Sequence, residues 1–123
     1  MLFRSGSGLS RRDLVRPRQL VALLAAMDRS EHRASFLDAL PVAALSGTLR
    51  SRFLGTAAAG RVRAKTGTLS RVSCLSGYVP RAGARPVVFS IMVNDYLCSD
   101  AAARAAIDAF VLEVVAAADR VRT

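Results

Sequence analysis

GRVRAKTGTLSRVSCLSGYV, residues 60–79, is where the chain changes its period. From Arg61 to Thr66 the residues alternate. Val62, Ala64 and Thr66 fall on one side and Arg61, Arg63 and Lys65 on the other, which predicts a half-buried strand with a row of cations along its polar face. Next come RVSCLSGYV (71–79) and PVVFSIMVN (86–94), both rich in β-branched and aromatic residues, with the turn-forming PRAGAR between them. That pattern predicts strands over 71–79 and 86–94, paired as a hairpin about Gly83.

Outside these strands the pattern is helical. Pro17 suits a first helical turn, and a helix to about Arg29 would carry Leu20, Leu23, Leu24 and Met27 on one core stripe. EHRASFLDAL (31–40) predicts a shorter helix stopped by Pro41, and GTLRSRFL a third between Gly47 and Gly55. Ser99 is a candidate N-cap for a closing helix with Ala103, Ile107, Phe110, Val111, Val114 and Ala118 inward and an exposed Arg104–Asp108 pair. Helices, three meandering strands and a closing helix make an α+β layer.

At 123 residues the chain has room for one domain with a core. Its net charge of +9 favours anionic partners, whether nucleic acid, acidic surfaces or small carboxylates and phosphates. The opening MLFRSGSGLSRRD lacks the apolar stretch of an export signal, and LVALLAAM (20–27) is too short to cross a bilayer, so a soluble chain is expected. Cys74 is placed opposite roughly residue 91, with Cys98 about 20 Å away along the ladder, which argues against a disulfide. His32, flanked by Glu31 and Arg33, reads as an exposed helix residue, and no cysteine or histidine spacing suggests a metal site.

Lys65 is the only lysine in the chain. It cannot belong to a phosphate loop, because Ala64 and Ala59 stand where that loop needs glycines to wrap its backbone round a phosphate. It stands instead in Lys65-Thr66-Gly67-Thr68, at the end of a predicted strand. Gly67, without a Cβ, lets another backbone lie against the strand, and Thr68 offers a hydroxyl and a main-chain N–H to a carboxylate or carbonyl oxygen. Lys-Thr-Gly on a strand, together with Ser-x-x-Lys and Ser-Asp-Asn, is the motif set of β-lactamases and penicillin-binding proteins.

Longer stretches extend the match. GSGLSRRDLVRPRQLVALL, LPVAALSGTLRSRF, GRVRAKTGTLSRVSCLSGYV and VVFSIMVN together resemble the C-terminal part of the D-alanyl-D-alanine carboxypeptidases of the PBP4 or DacB type, the S13 serine peptidases, from about Ser5 to about Val115. Two positions depart from the family: Ser5 stands where it usually has an acidic residue, and Ser46-Gly47 where it has Asp-Gly. The resemblance implies a penicillin-binding transpeptidase-like fold acting on peptidoglycan stem peptides as carboxypeptidase or endopeptidase, through a serine ester that β-lactams also form, with no cofactor. It gives Lys65 a part in proton transfer and carboxylate attraction, Thr66 a part in orienting the strand, Gly67 in admitting the substrate backbone, and Thr68 in the oxyanion hole. Leu69, Ser70, Leu9 and Arg11 would lie near the pocket for the stem-peptide side chain.

The nucleophile is missing from this frame. Val62 precedes Lys65 by three, and Met92 stands two before Asn94, the only asparagine, so neither Ser-x-x-Lys nor Ser-x-Asn occurs. The expectation is a single partial domain over residues 1–123: the C-terminal portion of such an enzyme, inactive by itself, whose full-length parent works in the periplasm or elsewhere outside the cytoplasm. An uncovered strand edge would then favour self-association. The competing class is a non-catalytic basic module for anions or nucleic acid. Against nucleic acid, aromatic residues are few and none interleaves with Arg61, Arg63 and Lys65.

Overall fold

Proline and glycine punctuate this chain where the strands turn. In the computed structural model, which describes residues 17–69, 72–94 and 97–120, β1 (Arg63–Leu69), β2 (Val72–Arg81) and β3 (Ala84–Asn94) form an antiparallel sheet in the order β1-β2-β3. Gly83 takes φ 69° in the tight turn between β2 and β3, a conformation that favours glycine. Pro80, with no N–H for the ladder, sits in an irregularity between Val79 and Arg81. The extra residue shifts the register by one position, so Cys74 pairs with Met92 rather than residue 91. Cys74 and the exposed Cys98 are both free thiols.

Alternation along the strands sorts the sheet into two faces. Ala64, Leu75, Val79 and Phe89 join Ile107, Val111 and Val115 of α3 (Asp100–Arg120) in the main core, together with Leu49, Phe53 and Val62. Tyr78 and Val88, out of phase with that set, pack on the opposite face with Leu24 of α1 (Pro17–Asp28), Phe36 and Leu37 of α2 (Arg33–Ala39), and Leu40. Helices therefore cover both faces of an α+β layer, and each fully buried aliphatic side chain contributes on the order of 1.5–3 kcal/mol.

Each helix is stopped or anchored by a definable group. Ser99 caps α3 by accepting a hydrogen bond from the Ala102 N–H at 3.0 Å. Leu40 is extended (φ −83°, ψ 141°), as the residue before a proline should be, and α2 ends there. Asp28, at the end of α1, is 5% exposed and accepts from Arg33 Nε at 2.7 Å and Arg85 Nη1 at 2.8 Å, which joins α1, α2 and the start of β3. Beside it the Tyr78 hydroxyl donates to the Leu24 carbonyl at 2.6 Å.

Four helical expectations need correction. Residues 47–55 form only a 3-10 turn, Gly47–Leu49, because Phe53 enters the core from a left-handed conformation (φ 65°) that no helix allows. Leu23 and Phe110 are exposed: each lies one residue, about 100° of helix, away from the buried Leu24 and Val111. The α3 stripe instead runs Ala103, Ile107, Val111, Val115, Ala118, so Val115 takes the fully buried place assigned to Val114, which is only partly covered. Asp108 does not pair with Arg104; both its carboxylate oxygens are bound by Arg52, from the loop before β1.

Candidate functional site

Register alone brings the candidate site together. Lys65 lies opposite Ser76 and Gly67 opposite Cys74 on β2, and those in turn lie opposite Ser90 and Met92 on β3. All six share the sheet face that carries α1 and α2. Lys65 is exposed on β1 rather than buried or helical.

The polar face is narrower than the alternation suggested. Arg61 precedes β1, and its guanidinium pairs with Asp119 of α3 (2.9 and 3.1 Å) and donates to the Pro80 carbonyl. Arg63 donates to the Leu37 carbonyl at 3.2 Å. The expected row of cations is thus divided among three partners, because the strand period starts at Arg63 and the chain at Arg61 still follows a turn. Lys65 alone of the three remains at the rim, where its ammonium donates to the Thr66 carbonyl at 2.6 Å.

That contact lies on the outer side of β1. Ala64 donates its N–H to the Pro41 carbonyl, away from β2, so by alternation Thr66 and Thr68 also direct their main-chain groups outward. The Thr66 hydroxyl donates to Thr48 Oγ1 at 2.9 Å, which holds the strand against the preceding loop. Thr68 and Leu69 are placed by their backbone on β1, whereas Ser70, Leu9 and Arg11 lie outside the described residues.

Gly67 is required by packing. A Cβ built there would come within 2.7 Å of Cys74 Sγ, so a side chain would have to displace the thiol. Burial pushes the Cys74 thiol above its ordinary value, with the Lys65 charge pulling the other way. The neighbouring Ser76 and Ser90 hydroxyls bond each other at 2.8 Å. Ser76 is 8% exposed and directly opposite Lys65, but its hydroxyl is bonded to Ser90 and, among the described residues, to no basic group. The sequence reading did not single out this pair. Its signal was a serine in each predicted strand standing between apolar or small residues, Ser76 between Leu75 and Gly77 and Ser90 between Phe89 and Ile91.

Chemically, the arrangement is a strand rim with outward N–H and C=O groups at Thr66 and Thr68, an exposed ammonium beside them, and a glycine between them that adds no side chain. Such a rim can accept an extended peptide through main-chain hydrogen bonds and hold an anionic end near Lys65.

The chain is similar to known proteins over most of its length. The model of the D-Ala-D-Ala carboxypeptidase 3 (S13) family matches residues 1–117. A D-alanyl-D-alanine carboxypeptidase of Actinomadura sp. (strain R39) is 44% identical over 101 residues, covering 78% of this chain and 19% of the relative. The D-alanyl-D-alanine carboxypeptidase DacB of Haemophilus influenzae is 32% identical over 97 residues, 77% of this chain and 20% of that protein. The crystal structure of H. influenzae penicillin-binding protein 4 in complex with a β-lactam superposes with a TM-score of 0.74 at 30% identity, covering 89% of this chain and 26% of the other. The chain thus spans about a fifth of the length of these curated relatives.

Proposed function

The chain belongs to the D-Ala-D-Ala carboxypeptidase 3 (S13) family, and we propose that β1 is the substrate-docking strand of a serine-type D-Ala-D-Ala carboxypeptidase or endopeptidase acting on peptidoglycan stem peptides outside the cytoplasm. In this reading residues 1–123 are one partial domain, and the attacking serine with its activating lysine comes from another stretch of polypeptide. The observation that carries the proposal is the exposed Lys65 ammonium at the open rim of β1, beside Gly67 and the outward main-chain groups of Thr66 and Thr68.

A peptide ending in a carboxylate adds along Thr66–Leu69, and Lys65 leaves the Thr66 carbonyl to meet that carboxylate. The contact it gives up is an exposed hydrogen bond worth about 1 kcal/mol, small beside a charge-assisted replacement. The Thr68 N–H is one donor for the oxyanion formed when the serine attacks the penultimate D-Ala carbonyl. Collapse of that intermediate expels the terminal residue as its amine and leaves a serine ester, which water then hydrolyses. Opening of a β-lactam ring by the same serine gives the corresponding stable ester. Without that serine the chain performs neither step.

Labelling with a fluorescent penicillin tests the assignment. The chain alone should take no covalent label. Supplied with a polypeptide bearing Ser-x-x-Lys and Ser-x-Asn, labelling should appear on that partner and fall about tenfold or more with Lys65→Ala, the scale of one lost transition-state contact. An adduct on the isolated chain, or labelling indifferent to Lys65→Ala, refutes it. The alternative of a nucleic-acid binder draws less support, since Arg33, Arg52, Arg61 and Arg85 are all paired with carboxylates.

A further inference from the structure

The loop before β1 meets successive rungs of that strand in different ways. Ala43 donates its N–H to the Val62 carbonyl and Ala64 donates to the Pro41 carbonyl, so the loop takes main-chain groups at both positions. At Thr66, two residues further on, the contact changes kind. Thr66 Oγ1 donates to Thr48 Oγ1 at 2.9 Å, and the loop touches the strand there through side chains. Among the described residues, no backbone hydrogen bond from the loop reaches Thr66.

We propose that Thr48 is a positioning residue for the reaction: its hydroxyl fixes where Thr66 lies, so that the rung a peptide must use is in place before the peptide arrives. This rests on β1 being the docking strand. Thr48 is itself placed from both sides. Leu49 is fully buried in the main core, and Gly47 (φ 58°) packs so closely on Pro41 that a Cβ there would come within 3.0 Å of Pro41 Cγ. The Val42 N–H donates to Ser46 Oγ at 2.9 Å and the Ala44 N–H to the Leu49 carbonyl, which closes the loop on itself. Pro41, against which Gly47 rests, is the residue whose carbonyl holds Ala64.

The kind of contact matters. A main-chain bond from the loop to Thr66 would hold the strand and also occupy the groups a docking peptide bonds, whereas a side-chain bond holds Thr66 and leaves them available. Strand alternation sets the Thr66 side chain on the face opposite Lys65, so the restraint does not compete with the ammonium for a carboxylate. One residue separates Thr66 from Thr68, and a displacement of the first carries the second with it. The Thr68 N–H is the proposed oxyanion donor, and stabilisation by such a donor falls steeply with small misplacement.

The rate of penicillin acylation, with the chain supplied with a polypeptide bearing Ser-x-x-Lys and Ser-x-Asn, reads the effect. Thr48→Val keeps the side-chain shape and removes the acceptor. It should lower the acylation rate at saturating penicillin about fivefold or more and shift the half-saturating concentration by less than about twofold, and Thr48→Ser should restore the rate. Hydrogen exchange on the chain alone gives a second reading. The Gly67 amide, in the ladder opposite Cys74, should exchange about fivefold faster in Thr48→Val and at its original rate in Thr48→Ser, with Val111 of α3 unchanged. If no labelling can be reconstituted, exchange decides. Unchanged acylation in Thr48→Val, an unchanged Gly67 amide, or failure of Thr48→Ser to restore either overturns the assignment of Thr48. Labelling indifferent to Lys65→Ala removes the docking strand and Thr48 with it, whereas a Lys65 effect without a Thr48 effect leaves the strand standing and strikes Thr48 alone.

Discussion

Gly67 and Gly77 show how closely β1 and β2 approach, and each makes a separate prediction. Gly67→Ala brings a methyl against Cys74 Sγ, an obstacle at the end of a short side chain that can partly yield. The expected cost is about 1–3 kcal/mol in urea unfolding, with most of it recovered in Gly67→Ala/Cys74→Ala, where the double-mutant cycle exposes the coupling. At Gly77 the obstacles are the Arg63 carbonyl oxygen at 2.1 Å and Ala64 Cα at 2.6 Å, backbone atoms that cannot move aside singly. Gly77→Ala should therefore cost more, upwards of about 3 kcal/mol, and separate the two strands. The thiols differ as well: half-buried Cys74, its pKa raised mainly by burial, should react with a maleimide far more slowly than exposed Cys98.

At the scale of the element, the strands and α3 were legible because their signals are local. A period of two, a turn glycine and a serine cap each act within a few residues, and each appears near its expected place. What could not be read was set by distant neighbours. Arg52 reaches Asp108 and Arg61 reaches Asp119 across more than fifty positions, and no spacing rule announces such pairs. The exposed Leu23 and Phe110 reflect the narrow stripe a helix shows to a flat sheet, where a pattern of apolar residues suggests a broader one. Of the candidate site, Lys65 and Gly67 stand on a strand as expected, whereas Arg61 and Arg63 leave the rim for partners the sequence did not indicate. Removing the cap by Ser99→Ala should cost about 1 kcal/mol and fray the first turn of α3, visible as lost amide protection at Ala102.

For the whole molecule, the buried Asp28 carboxylate is the point where three elements meet. Burial acts to raise its pKa, but the hydrogen bonds and charges of Arg33 and Arg85 outweigh that and hold it below the ordinary carboxylate value. A depressed folded pKa gives stability that is fully present above the unfolded value near pH 4 and is lost as the pH falls through the lower folded one. Thermal unfolding measured from neutral pH downward should thus decline below about pH 4, and Asp28→Asn should flatten that decline while costing about 1–3 kcal/mol at neutral pH. Because the protein contains no tryptophan and two tyrosines, the buried phenol of Tyr78, fastened to the Leu24 carbonyl, also serves as a natural chromophore for this junction. Its ultraviolet difference spectrum would reveal the first helix lifting from the sheet before the rest of the molecule melts, giving an optical gauge of partial opening without any added dye.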